Sequence, residues 1–422
     1  MPFLVCMLDS AAPPILDERR FYREWWLMAV LALGTLITMT ALQWGQSPGQ
    51  VIYDQFHRWQ SAQADAQVVV VAIDNTTLDT LGGWPLDRQH YAQLLSLLAR
   101  PAHQPRAIGF DLLFLDPSPS DALLAEQMRK HRVVLAAEQG GQSGEPKQRL
   151  PVLALRQAAT ALAHINVNFE SDGALRGVLL RQGSFDHLSL ALSGEEPERY
   201  NSHGSYRRFL QINPFTGLPT VSLSDVLSGQ LPLTLFKDKY VLIGATSPSL
   251  GDQFPGVYAG QHNAGTPGVV MQASVLSGLL QGSLITPVHS AWQHLLSALA
   301  LVVVLLALLV FSPRVEMAVS VFTVCLVLAA SWALLRYQHL WFDPALPIMA
   351  IALVKPTWAW RRSEMVLYFL RQGVNSLDHP RHHLRSSVSA DLGKATRWFM
   401  RSDSIQQYAL SLIHISEPTR PY

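Results

Sequence analysis

Cysteine is nearly missing. Only Cys6 and Cys325 occur in 422 residues, and neither falls in the long central stretch. That excludes a disulfide framework or a paired-cysteine metal site there. Charge is scarce as well. Asp, Glu, Lys and Arg make up 15% of the chain against 49% hydrophobic residues, where ordinary soluble domains carry roughly 25% charge. The deficit points to segments solvated by lipid. Neither sign dominates: with 32 basic and 31 acidic residues, the chain has no electrostatic footprint for nucleic acid. Catalytic signatures are missing in turn. There is no G-x-S-x-G elbow, no H-E-x-x-H pair and no glycine fingerprint leading into a helix. Hydrolase readings fall away and no cofactor is expected. No fixed-period or inverted repeat is visible, which argues against a transporter.

What the sequence does have is long apolar runs. Trp25 to Leu42 carries no charge and has Trp44 just beyond, about the minimum length for a ~30 Å hydrocarbon core, with tryptophan at both interfaces. A cleaved signal peptide would have a shorter apolar core and a small-x-small cleavage site. Gln43-Trp44-Gly45-Gln46 offers none, so residues 25–44 are predicted to be an uncleaved anchor. Three more spans are predicted within 291–358, at about 291–311, 315–335 and 340–358. Ser312-Pro313-Arg314 joins the first two of these as a tight hairpin. The last carries Pro344, Pro347, Lys355 and Pro356. Proline is tolerable where neighbouring helices satisfy the freed carbonyls, and Lys355 is expected to snorkel towards headgroups.

Positive charge sets the orientation. Arg19, Arg20 and Arg23, then Arg314, then Arg361 and Arg362 all fall on one side of a four-span arrangement, and Arg336 alone on the other. The N-terminal residues 1–24 and the segment 359–410 are therefore expected in the cytoplasm, and residues 45–290 outside it.

That external region reads as α/β. Gln67 to Asp74 is a continuous β-branched run, suited to a strand buried on both faces. Asp87 is a plausible N-cap for a helix to Ala99, apolar at Tyr91, Leu94, Leu95 and Leu98. A second strand spans Arg106–Phe114, a helix starts near Ser120 or Asp121, and a third strand spans Arg132–Ala137. This alternation implies a mostly parallel sheet flanked by helices. Ala163–Phe169 and Gly177–Arg181 are predicted strands joined by a turn at Asp172-Gly173, and residues 194–205 a surface loop. Lys239–Thr246 is a further strand, and Gly268–Leu280 a helix packing on the sheet.

Candidate chemistry lies at strand ends. Asp74, Asp111 and, past a Ser-Pro loop, Asp252 stand where open parallel sheets bind ligands. Asp74 and Asp111 belong to one βαβ unit, which would bring them near each other, to hold a divalent cation or the polar end of a small ligand. The competing reading is that each caps a helix or orders a turn. Thr246 and Ser247, with Gly244 and Gly251, would offer backbone amides to an anion. His164 and His262 stand alone in the sequence and read as structural. His379, His382 and His383, beside Arg381 and Arg385, read as a solvated basic segment near anionic lipid.

These segments resemble the second class of CHASE domains, the extracellular sensory modules of cyclases and histidine kinases. The resemblance rests on Val71 to Pro85, Ala107 to Phe114 with Asp116 to Asp121, and Ala163 to Asn166 through Asp172-Gly173 to Arg176. Leu218 to Gly229, Tyr240 to Thr246, Leu250-Gly251-Asp252 and Pro267 to Ala273 continue it in order. Valine and methionine replace the more polar residues usual in the last of these. Trp358-Ala359-Trp360-Arg361-Arg362 and the helix after it resemble the start of the cytoplasmic region in histidine-kinase members. The resemblance implies a homodimeric bacterial receptor in the inner membrane, sensing an extracytoplasmic ligand or envelope signal. A cyclase receptor, or a stand-alone envelope binding protein, are the alternatives. The family's ligands are generally undefined, so no binding residue carries over. No phosphoacceptor box or cyclase carboxylate set follows the spans, and Ser411 to Tyr422 resembles translated sequencing-adapter read-through. The native frame is expected to stop matching near Leu410.

Overall fold

The computed structural model describes residues 18–41, 46–59, 65–140, 147–170, 172–202, 204–209, 218–251, 253–254 and 265–377. They form two units. One comprises residues 50–289 with 332–342, and the other the segments around it. The expected tail from 411 onward, the histidine group at 379–383, His262 and Asp252 all lie outside the described residues.

The larger unit is built on a parallel sheet. Its strands are β1 (Val68–Ile73), β2 (Ala107–Asp111), β3 (Val133–Gly140), β4 (Lys147–Arg149), β5 (Ala161–His164), β10 (Thr220–Ser222) and β11 (Tyr240–Ala245). The order is β10-β1-β11-β2-β3-β4, with β5 parallel to the lower part of β3 and β4 the antiparallel exception. One difference from the predicted topology matters for the site. β1 and β2 are consecutive in sequence, yet β11 lies between them and pairs with both in parallel.

Both faces of the sheet are covered, as uninterrupted apolar strands require. Val69, Val71, Ile73, Ile108, Phe110, Val241 and Ile243 face α4 (Arg88–Leu98), α5 (Asp121–Met128), α6 (Leu153–Ala158) and α8 (Leu223–Leu227). Val68, Val70, Ala107, Val134, Tyr240 and Leu242 face α7 (Leu188–Ser193) and α9 (Gly268–Gln281). Burying each such side chain contributes about 1.5–3 kcal/mol. Asp87 caps α4 by accepting from the Gln89 amide, as its position predicted. The short α3 (Asn75–Leu81) follows β1 directly.

A smaller layer sits beside α7 and α9. It contains β6 (Gly177–Leu179), the hairpin β7 (Arg181–Gln182) and β8 (Phe185–Asp186), and β9 (Arg207–Phe209). Leu175, Val178, Leu180 and Leu190 pack with Met271, Val275 and Leu279 of α9. β12 (Gln253–Phe254) and β13 (Thr266–Pro267) pair ahead of α9. Into the same unit come α2 (Gln46–Arg58), from residue 50 onward, and two further two-residue strands, β14 (Thr286–Pro287) and β15 (Leu340–Trp341).

The second unit is helical: α1 (Glu18–Ala41), α10 (Ser290–Val310), α11 (Pro313–Gln338) as far as Ser331, and α12 (Ala345–Leu377). By length and hydropathy, α10 and α11 qualify as membrane-crossing helices. α1 places Trp25, Ala29, Ala32, Leu36 and Met39 at helical spacing against Leu301, Val304, Leu305 and Leu308 of α10 and Ile351, Val354 and Trp358 of α12. Trp25 Nε1 donates to the Leu305 carbonyl at 3.0 Å. Two expectations change here. Leu340 and Trp341 form a strand and not the head of a helix, which starts at Ala345. Lys355 pairs with Glu316 of α11, which is 6% exposed. A buried carboxylate needs a cation, so the ammonium is held inside the unit.

Candidate functional site

The carboxyl-end rim of the sheet carries the predicted residues. Asp74 follows β1 and is the N-cap of α3. Its Oδ1 accepts from the Thr77 amide at 2.9 Å, the Thr77 hydroxyl at 2.7 Å and the Ser222 hydroxyl at 2.9 Å. Ser222 also contacts Ser224 at 2.8 Å. Partial burial pushes the Asp74 carboxyl upward, but the bonds from Thr77 and Ser222 outweigh it and hold the group below the usual carboxylate range. The capping role is thus realised, and Asp74 leans towards β10.

Asp111 ends β2 on the other side of β11, in register with Gly244. Two strand spacings of about 4.8 Å therefore separate the strands bearing the two aspartates. Asp111 is 8% exposed. Gly244 allows this arrangement, because a Cβ there would lie 2.7 Å from Cβ of Val269, in the first turn of α9, and 3.1 Å from that of Asp111. Thr246 and Ser247 stand at the end of β11 between them. Both their amides donate to the Ile73 carbonyl, at 3.1 and 3.2 Å, and that of Gly251 to Pro248. These three amides are engaged within the fold. The Ser247 hydroxyl bonds Asn75 and Ser249. The rim is a shelf of hydroxyls with one carboxylate on each side. Among the described residues no group of three or more His, Cys, Asp or Glu is placed to hold a metal ion; Asp252 lies outside them.

His164 has a neighbour that the sequence did not reveal. It ends β5, bridges to His187 at the N-cap of α7, and meets that ring at 5.2 Å, edge to face. The Ser189 amide donates to His187 Nδ1 at 3.3 Å. Burial drives both imidazoles down, His164 to about 4 and His187 well below its ordinary value. Both are therefore neutral at neutral pH.

A second constellation was missed altogether. From α2, Arg176 receives Asp54 as a fork: its Nε and Nη2 each donate to that carboxylate at 2.7 Å, while Asp172 takes the other side of the guanidinium. Arg176 is 4% exposed. Such a pair fixes the approach of α2 geometrically as well as electrostatically. Immediately before Asp54, Tyr53 meets the rings of Phe209 at 5.6 Å, Trp341 at 4.8 Å and His57 at 4.2 Å. Burial lowers His57 to about 4. Trp341 belongs to β15, which runs parallel to β14. Phe209 and Ile285 exchange backbone bonds at 2.8 and 3.0 Å. A ribbon β6-β9-β14-β15 results, placing Phe209 and Trp341, 132 positions apart in sequence, against the same Tyr53 ring.

A doubly covered parallel sheet with a polar rim, flanked in sequence by long apolar helices, defines an α/β module set between helical segments. The chain belongs to the CHASE2 domain family, which it matches over residues 27–310, from α1 to the end of α10. CHASE2 is an extracellular sensory domain of receptors. No curated protein matches the chain, and no solved structure does.

Proposed function

We propose that this chain is the signal-sensing and transmission region of a bacterial inner-membrane receptor, the input half of a two-component histidine kinase. In this reading residues 45–290 lie in the periplasm, residues 25–44 and three segments within 291–358 cross the bilayer, and the chain acts as a homodimer in contact with membrane lipid. Membership of the CHASE2 family carries the proposal, because the match begins and ends in helices that flank the sensory domain. The Trp358–Arg362 segment and the helix after it, similar to the cytoplasmic start of kinase members, support the choice of output. A small polar ligand at the rim, touching Asp74, Asp111, Thr246 and Asp252, would shift the domain between two states. It can do so only by binding one state more tightly than the other.

Two reporter fusions after residue 200 test the layout. A phosphatase that folds only in the periplasm is expected to be active there, and a fluorescent protein exported in unfolded form to stay dark. A bright, phosphatase-negative pair overturns the reading. Ligand screening by thermal shift on the full chain, with Asp74→Ala and Asp111→Ala beside it, tests the rim. A ligand that stabilises all three equally removes the aspartates.

A further inference from the structure

A connector between two apolar helices needs only to turn. Residues 339–342, between α11 and α12, do more. The Thr286 amide donates to the His339 carbonyl at 2.8 Å and the Val288 amide to that of Trp341 at 2.9 Å. Thr286 and Pro287 stand in register with Leu340 and Trp341. Trp341 is 9% exposed and lies edge-on to Tyr53 at 4.8 Å and to Phe56 at 6.4 Å. These contacts lie within the sensory unit, to which residues 332–342 belong.

We infer that residues 339–342 are the arm through which the sensory unit sets the position of α12, with Trp341 as its positioning residue. The inference rests on the four-span reading above. Only Phe342, Asp343 and Pro344 separate Trp341 from the first residue of α12. The three residues span at most about 11 Å, and Pro344 fixes its own φ, so the start of α12 is tethered close to Trp341. α10 begins three residues after Pro287. Two helices thus leave one hydrogen-bonded strand pair, whose strands are about 4.8 Å apart. A shift of that pair reaches both helices together. α12 is the one that continues to Leu377, so it carries the shift furthest. The aromatic seat of Trp341 is what makes the arm follow the domain, because offset rings pack with a geometry that a smaller side chain does not hold.

The test uses the full chain in lipid nanodiscs, with Cys6→Ser and Cys325→Ser and spin labels on Ser312→Cys and Ser363→Cys. Trp341→Ala is expected to shift or broaden the 312–363 distance distribution by more than about 2 Å, the scale of helix displacements in switching. Trp341→Phe should keep the original distribution. Phe209→Ala, which removes a ring that meets Tyr53 at 5.6 Å while Trp341 stays in place, should change it less. Val288→Pro deletes the amide that holds the Trp341 carbonyl and is expected to act like Trp341→Ala, which keeps the question answerable if the alanine variant does not fold. An unchanged distribution in Trp341→Ala and Val288→Pro overturns the proposal, as does an equal change in Phe209→Ala. Failure of the four-span reading itself would show as access to residue 312 or 363 from the periplasmic side, which does not depend on these distances.

Discussion

The two units treat large apolar side chains by opposite rules. In the sensory unit, Val68 to Ile73 of β1 are between 0% and 4% exposed. In the helical unit, Trp26 is 62%, Leu31 71% and Phe322 66% exposed. Water drives apolar surface into a core, as in the sensory unit. The outward apolar faces of the helical unit are what lipid would tolerate under the proposed topology, where helices associate by shape and by polar contacts. The charges follow suit. Glu316 is buried and paired with Lys355, with Arg362 at 3.9 Å. The sensory unit's ion pairs include several on its surface, such as Arg149 with Glu138.

Removing one ring from each unit breaks or sharpens that comparison. Phe110, fully buried in the sheet, should cost about 3–5 kcal/mol when changed to Ala, through lost transfer energy and the cavity left behind. Phe322→Ala should stay within about 0.5 kcal/mol. Thermal unfolding of the full chain in nanodiscs reads both, and equal losses would mean that the Phe322 ring is packed as tightly as Phe110 and does not face outward.

The next effect belongs to the sensory unit alone. His57, His164 and His187 all have folded-state values below their ordinary 6.5. Unfolding frees them to take protons, so their contribution is whole above about pH 6.5 and is lost as pH falls towards 4. The expected slope is about 1.4 kcal/mol per pH unit for each histidine in that window. Unfolding scans from pH 7.5 to 5 check it, and His164→Gln should remove one histidine's share. Smaller still is Asp74→Ala. Loss of the α3 cap should cost about 1 kcal/mol, measured as a lowered Tm, and a neutral result would mean that Ser222 and Thr77 find other partners.

Much of this was legible in the sequence. β1, β2, β3 and β11 are continuous apolar runs, and α4 and α9 carry helical spacing or a preceding proline, so each was found within a few residues. Asp87 stood out as a cap just before α4, whereas for Asp74 a cap was one competing reading, because α3 itself is too short to show a period. The order of strands was not legible. β11 enters between β1 and β2 from more than a hundred residues away, and periodicity says nothing about which strands pair. β10, β14 and β15 have two or three residues each, too few to show a period. Leu340 and Trp341 were read as the head of a span because an apolar pair looks the same in lipid and in an aromatic cluster. The partners of Arg176 and Lys355 escaped for the same reason: pairing is a tertiary fact.

The central claim is that the sensory unit and the cytoplasmic ends of the helices lie in different compartments. Single cysteines at Ser228, Ser312 and Ser363, in a background without Cys6 and Cys325, test it with a membrane-impermeant maleimide on cells whose outer layers have been opened. The account predicts labelling at 228 in intact cells, and at 312 and 363 only after lysis. Labelling of 312 or 363 before lysis, or protection of 228, would contradict it.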